Sequence, residues 1–165
     1  MIVISDTTPL ISLLKIKRLN LLEKVFGTVQ IPKGVFAELT DNSKYQDESE
    51  IVKSSPFIKV IDNIDYNYVS ILRRSTGLDL GESEAIYLSD SNKADLLLID
   101  EVRGREVAAR MGIRIMGTIG FLSMAYEDSF ISKDEIKQAI EILRDSGRHI
   151  SERLYEQLIC LIERV

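Results

Sequence analysis

One cysteine in 165 residues, Cys160, leaves no internal disulfide to form. Its setting in Leu158-Ile159-Cys160-Leu161-Ile162 reads as that of a small core residue. The single histidine, His149, lies in a polar turn with no serine or cysteine partner in view, so a catalytic triad has no support and a solvated side chain is the better reading. No apolar run approaches the roughly 18 residues of a membrane span. The N-terminus lacks a basic n-region and opens directly on an apolar strand, so no signal peptide is expected and the cytoplasm is the default location. Gly104 and Gly112 do not make a dinucleotide fingerprint, and no Gly-Lys-Ser/Thr phosphate loop occurs. Internal repeats and low-complexity segments are also missing. Lysine and arginine number 21 against 26 acidic residues, a net charge of −5. That balance argues against a long non-specific nucleic-acid track, but not against a compact acidic metal site.

What is present is the composition of a globular domain, 45% hydrophobic and 28% charged, with a length that suits one domain over residues 1–165. Short apolar runs alternate with helical periodicity. Ile2-Val3-Ile4-Ser5 reads as a buried strand; Thr8 reads as the N-cap of the next helix, with Pro9 at its first position. Further strands are expected at 28–32, 57–61 (an edge), 95–100 and 113–116, with helices at 19–26, 33–39, 47–54, 65–76, 79–92 and 101–111. Residues 40–46 read as a mobile loop. Three helices close the chain, beginning near Thr118, Ser132 and Ser151. Asp79 with Glu82 three residues on fits a capping box. Strands separated by helices imply a parallel sheet of about five strands in a three-layer α/β/α fold.

Four acids fall at the edge where the strands run out: Asp6 after the first strand, Glu38 on the helix after the second, Glu82 on the helix before the fourth, and Asp100 at its end. Each has a bland explanation. Asp6 and Asp100 could cap the helices that follow, Glu38 could be a solvated helix residue, and Glu82 could serve only its capping box. Together the bland readings weaken, because two carboxylates ~4 Å apart at an effective dielectric of ~20 repel by roughly 4 kcal/mol. A bound divalent cation reverses that sign, and hard oxygen ligands without histidine or cysteine select Mg²⁺ or Mn²⁺ over zinc. Arg103 and Arg105 could meet a nucleic-acid backbone or could form an ordinary basic helix surface; Arg73-Arg74 carries the same pair of readings. Tyr45, Tyr66 and Tyr68 could stack bases, although packing at the core or rim is the simpler reading.

These stretches resemble the PIN-domain nucleases, and within them a branch related to VapC-type toxins of toxin–antitoxin pairs. The matching residues are Val3-Ile4-Ser5-Asp6-Thr7-Thr8-Pro9-Leu10-Ile11, Ile31-Pro32 with Val35-Phe36-Ala37-Glu38-Leu39, Leu80-Gly81-Glu82-Ser83-Glu84-Ala85-Ile86, Leu97-Leu98-Ile99-Asp100-Glu101, Gly117-Thr118-Ile119-Gly120 and Ile150-Ser151-Glu152-Arg153-Leu154-Tyr155. The resemblance implies a Mg²⁺- or Mn²⁺-dependent ribonuclease with Asp6, Glu38, Glu82 and Asp100 as catalytic, metal-binding acids. Glu82 stands where aspartate is common, with Glu84 as the alternative third acid and Glu101 as a further candidate ligand. Ser5, Thr7 and Thr118 would be supporting residues. The resemblance also implies an RNA substrate, a small antitoxin protein as partner, and a homodimer. The alternative is a PIN-like binding module without catalysis, acting through a protein or RNA.

Overall fold

The computed structural model describes residues 1–41, 46–147 and 151–164. Tyr45 and His149, and most of the expected loop at 40–46, lie outside the described residues. Five strands, Val3–Ser5 (β1), Val29–Pro32 (β2), Ile58–Ile61 (β3), Leu96–Leu98 (β4) and Ile115–Met116 (β5), form one parallel sheet in the order β3-β2-β1-β4-β5. Their connections hold Thr7–Lys15 (α1), Leu21–Phe26 (α2), Lys33–Thr40 (α3), Gln46–Lys53 (α4), Tyr66–Thr76 (α5), Leu80–Ser91 (α6) and Val102–Arg110 (α7). Thr118–Glu127 (α8), Lys133–Asp145 (α9) and Glu152–Glu163 (α10) follow β5. No helix among the described residues is long and apolar enough to cross a membrane.

The sheet is buried on both faces, and the two-residue period of a strand divides its side chains between two cores. Val3, Leu96 and Leu98 point into one core with α1, α2, α8, α9 and α10. Ile4, Leu97 and Ile99 point into the other with α6 and α7. That is a three-layer α/β/α architecture. Each fully buried Leu, Ile or Val contributes about 1.5–3 kcal/mol through burial, so the continuous apolar runs that look ambiguous in sequence hold the layers together. α3 packs against both α1 and α6, bridging the layers beyond the strand ends.

Two local expectations change. α1 begins at Thr7, with Asp6 in the N-cap position and Pro9 third in the helix, not first. Any of the first four helical N–H groups lacks an intrahelical acceptor, so proline is tolerated at each of these positions. Cys160 is exposed rather than in the core. The buried positions of α10 are Leu158 and Ile162, four residues apart, and Cys160 lies halfway between them on the other side of the helix.

Candidate functional site

β1 lies between β2 and β4, and the chain leaves it toward β2 and β3 before returning to β4 and β5. The crevice beyond the β1 and β4 ends is therefore the topological switch point of the sheet, where open α/β folds bind ligands. Asp6 stands there. Its N–H donates to Leu98 O at 2.9 Å, the last rung between β1 and β4. Although it occupies the N-cap position of α1, its side chain makes no capping bond. The residue is only 3% exposed and its pKa is raised from 3.8 to about 7. Burial is the main cause; Glu82, Asp79 and Glu38 add repulsion, and the Thr7 N–H partly offsets it.

The other acids each have a partner that orients them. Glu82 Oε2 accepts the Asp79 N–H at 3.1 Å while Asp79 Oδ1 accepts the Glu82 N–H at 2.8 Å, so the capping box is real. Glu82 is nonetheless 8% exposed, and burial, followed by repulsion from Asp79, Glu101 and Glu38, raises its pKa. Its Oε1 lies over the first turn of α7, 3.4 Å from where a Cβ on Gly104 would be. Asp100 caps the end of a different helix from the one it precedes: Thr118 donates its N–H to Oδ1 at 2.7 Å and its hydroxyl to Oδ2 at 2.6 Å. Glu101, not Asp100, takes the N-cap position of α7, exposed and without a side-chain cap. Glu38 stands at the exposed rim, its pKa raised by burial and by Asp79, with the Thr7 hydroxyl acting against that rise. No hydrogen bond of good geometry joins the two: among the described residues the buried Thr7 Oγ1 has no partner.

Glu84 is turned elsewhere. It is 1% exposed and its Oε2 accepts the Gly34 N–H at 2.8 Å, in the first turn of α3. Burial raises its pKa against that bond, with Glu38 and Asp62 adding to the rise. Ser5 donates its hydroxyl to Asp6 O at 2.9 Å and so serves the backbone of the β1 turn. Arg103 Nε donates to Thr76 O at 3.1 Å, at the end of α5, and Arg105 Nη1 donates to Ile99 O at 3.0 Å. Arg73 and Arg74 are exposed in the last turn of α5. Tyr68 packs on Tyr87 with ring centroids 5.1 Å apart and donates to Asp90 at 3.2 Å, while Tyr66 is exposed. Two open surface depressions border α10 and the α8–α9 connection, and none of the acids lines either one.

The structure thus brings Asp6, Glu38 and Glu82 into mutual repulsion, fixes Asp100 at the adjoining strand end, and turns Glu84 to the first turn of α3, where it repels Glu38 but bonds Gly34. Asp79 was missed as a member of the group: its D-x-x-E spacing signals a cap and hides that the cap's own charge acts on three neighbours. Among the described residues, no three His, Cys, Asp or Glu side chains form a group that could hold one ion. The donors still fit a hard divalent cation in kind. They are carboxylates without histidine or cysteine, beside an orphaned buried hydroxyl, and Gly81 leaves space that a Cβ would fill 2.5 Å from Glu38 Oε1.

No curated protein matches the chain. The family model DUF3368, described as a PIN domain, matches residues 2–164. With a five-stranded parallel sheet between helical layers and an acidic edge at its switch point, the chain belongs to the PIN-domain family, a nuclease-type fold.

Proposed function

We propose that this protein is a divalent-metal-dependent ribonuclease and the toxin member of a VapC-like toxin–antitoxin pair. The observation that supports this most is Asp6: a buried carboxyl at the switch point, free of any capping bond, raised to a pKa of about 7 and set beside an unpartnered hydroxyl. A native chain keeps such a group only where something offsets its charge or uses it. Mg²⁺ or Mn²⁺ bound there supplies positive charge against the phosphate oxygens and lowers the pKa of water.

The protein's own groups divide the remaining work. Asp6, Asp100, Glu38 and Glu82 supply the oxygen ligands. Thr118 fixes the plane of Asp100 while leaving two of its roughly four lone-pair directions open. The Asp79 N–H fixes Glu82 in the same way and leaves Oε1 available. Such partners commonly govern metal affinity as strongly as the ligands themselves. Arg105, tied to Ile99 O beside Asp100, keeps further donors for the RNA backbone, whereas the bond of Arg103 to the end of α5 favours a structural part. A homodimer and a small antitoxin that covers the acidic edge complete the proposal.

A second reading, a PIN-like binding module without catalysis, draws on the absence of a three-ligand group among the described residues and on both Asp100 oxygens being engaged. One experiment separates the two. RNA is incubated with the protein and Mn²⁺, with and without chelator, alongside Asp6→Asn and Asp100→Asn. Cleavage that chelator and both substitutions abolish supports the enzyme. Cleavage unchanged in the variants, or no rise in the melting temperature of the wild type with millimolar Mn²⁺, refutes it and favours the binding module.

A further inference from the structure

Helices α3 and α6 meet through two glycine–glutamate pairs that face each other. On α3, Gly34 and Glu38 are four residues apart; on α6, Gly81 and Glu84 are three apart, so each pair shares one side of its helix. The pairs interlock crosswise. The Glu84 carboxylate takes the Gly34 N–H and occupies the space a Cβ on residue 34 would fill. Glu38 Oε1 in turn lies against Gly81, in the first turn of α6. A side chain at either glycine would displace the opposing carboxylate or push the helices apart.

The exchange matters most to α3. That helix has eight residues, begins after Pro32 in its N-cap position, and has no side-chain cap of its own. Its first-turn N–H groups have no intrahelical acceptor, and its N-terminal end carries the positive pole of the helix dipole. Glu84, from 50 residues along the chain, supplies the missing acceptor. A buried carboxylate in turn needs a donor, and Gly34 supplies one. Glu38 stands one helical turn beyond that bond.

We infer that Glu84 is a positioning residue: by seating the first turn of α3 on α6 it sets where Glu38 stands at the acidic edge. This rests on the reading that the edge binds a divalent cation, and the test separates the two ideas. The full chain is titrated with Mn²⁺ alone by calorimetry, and amide hydrogen exchange is followed without metal. Glu84→Ala removes the acceptor and Gly34→Ala displaces it without changing charge; each raises the Mn²⁺ dissociation constant about tenfold. Glu84→Gln keeps an acceptor oxygen and restores affinity to within about threefold of wild type, since an amide carbonyl still accepts the bond. In a Glu38→Gln background, Glu84→Ala adds no further loss, because both act through one group.

Exchange across Gly34–Glu38 accelerates in Glu84→Ala while α9 stays protected. If the wild type binds no Mn²⁺, the cation reading fails, and the exchange pattern alone still decides the clasp. Unchanged exchange across α3 in Glu84→Ala overturns the inference, as does an equal Mn²⁺ loss with and without Glu38. Should Glu84→Ala not fold, Gly34→Ala and Glu84→Gln carry the same comparison: losses of equal size in both, or in neither, overturn it.

Discussion

Helices α6 and α9 both open with a capping box, Asp79 with Glu82 in one and Ser132 with Glu135 in the other. The bonds are alike: in each, the cap side chain accepts the N–H of the glutamate and the glutamate accepts the N–H of the cap. Their charges behave in opposite ways. Glu135 is half-exposed, its pKa is lowered by the Ser132 N–H and hydroxyl, and its remaining oxygen meets Arg18 at 2.8 Å. Glu82 is buried, its cap is itself an anion, and Asp6, Glu38 and Glu101 surround it, so its pKa is raised. The local motif fixes where a helix starts. The place of that helix in the fold decides whether the same carboxylate is stabilised in its charged form or is held charged at a cost.

The largest expected effect divides the two boxes by activity. Under the ribonuclease reading, Glu82→Gln lowers Mn²⁺-dependent RNA cleavage by roughly 10–100-fold, whereas Glu135→Gln leaves cleavage unchanged and slightly lowers the melting temperature. Equal losses in the two variants would erase the contrast.

The second effect is the sign of the pH dependence. The folded pKa of Asp6, about 7, lies above its unfolded value of 3.8, so between those values the folded state holds more protons. For this group stability is highest at low pH and is lost as pH rises through about 7, by on the order of 4 kcal/mol. Urea unfolding in chelator should show this fall from pH 5 to pH 8, and Asp6→Asn should flatten it. Glu135, with its pKa lowered, gives the opposite slope: its contribution is present above its unfolded pKa and fades as pH falls. Glu135→Gln should therefore reduce the loss of stability on the acid side only.

The smallest effect comes from making one box resemble the other. Asp79→Ser keeps an N-cap but removes an anion that acts on Asp6, Glu38 and Glu82. The melting temperature without metal at pH 8 should rise by a few degrees, with a few-fold loss of Mn²⁺ affinity. A fall in that melting temperature would mean that the Asp79 charge serves the helix more than it strains the edge.

The sequence made the alternation of strand and helix legible because each element carries its own signals. Leu96-Leu97-Leu98-Ile99 is apolar without a break, as a strand covered on both faces must be, and Asp79, Ser132 and Ser151 mark the starts of helices in place. It misled where several local solutions were equivalent: Pro9 fits any first-turn position, and Cys160 sits in an apolar run that only the seating of Leu158 and Ile162 resolves. The acids could be placed at the strand ends, but not oriented. Whether Asp6 caps α1 depends on nothing in α1 alone, and the orientations of Glu82 and Glu84 are set by Asp79 and Gly34, one of them 50 residues away from its partner. Thr118, expected beside the site, holds both oxygens of Asp100 through a contact 18 residues apart.

β1 is the first strand along the chain and the middle one of the sheet. Its hydrogen-bonding neighbours arrive from residues 29–32 and 96–98, so the strand that carries Asp6 leaves the ribosome long before the second of them can hold its other edge. Pairings of such long sequence separation form slowly and late. A nascent chain that has not yet made β4 already contains Asp6, Glu38 and Glu82, yet offers β1 only its β2 edge and has no crevice between β1 and β4. The crevice at the acidic edge therefore closes only once β4 has joined β1, and a fragment that ends before residue 96 has three of the acids but not their wall.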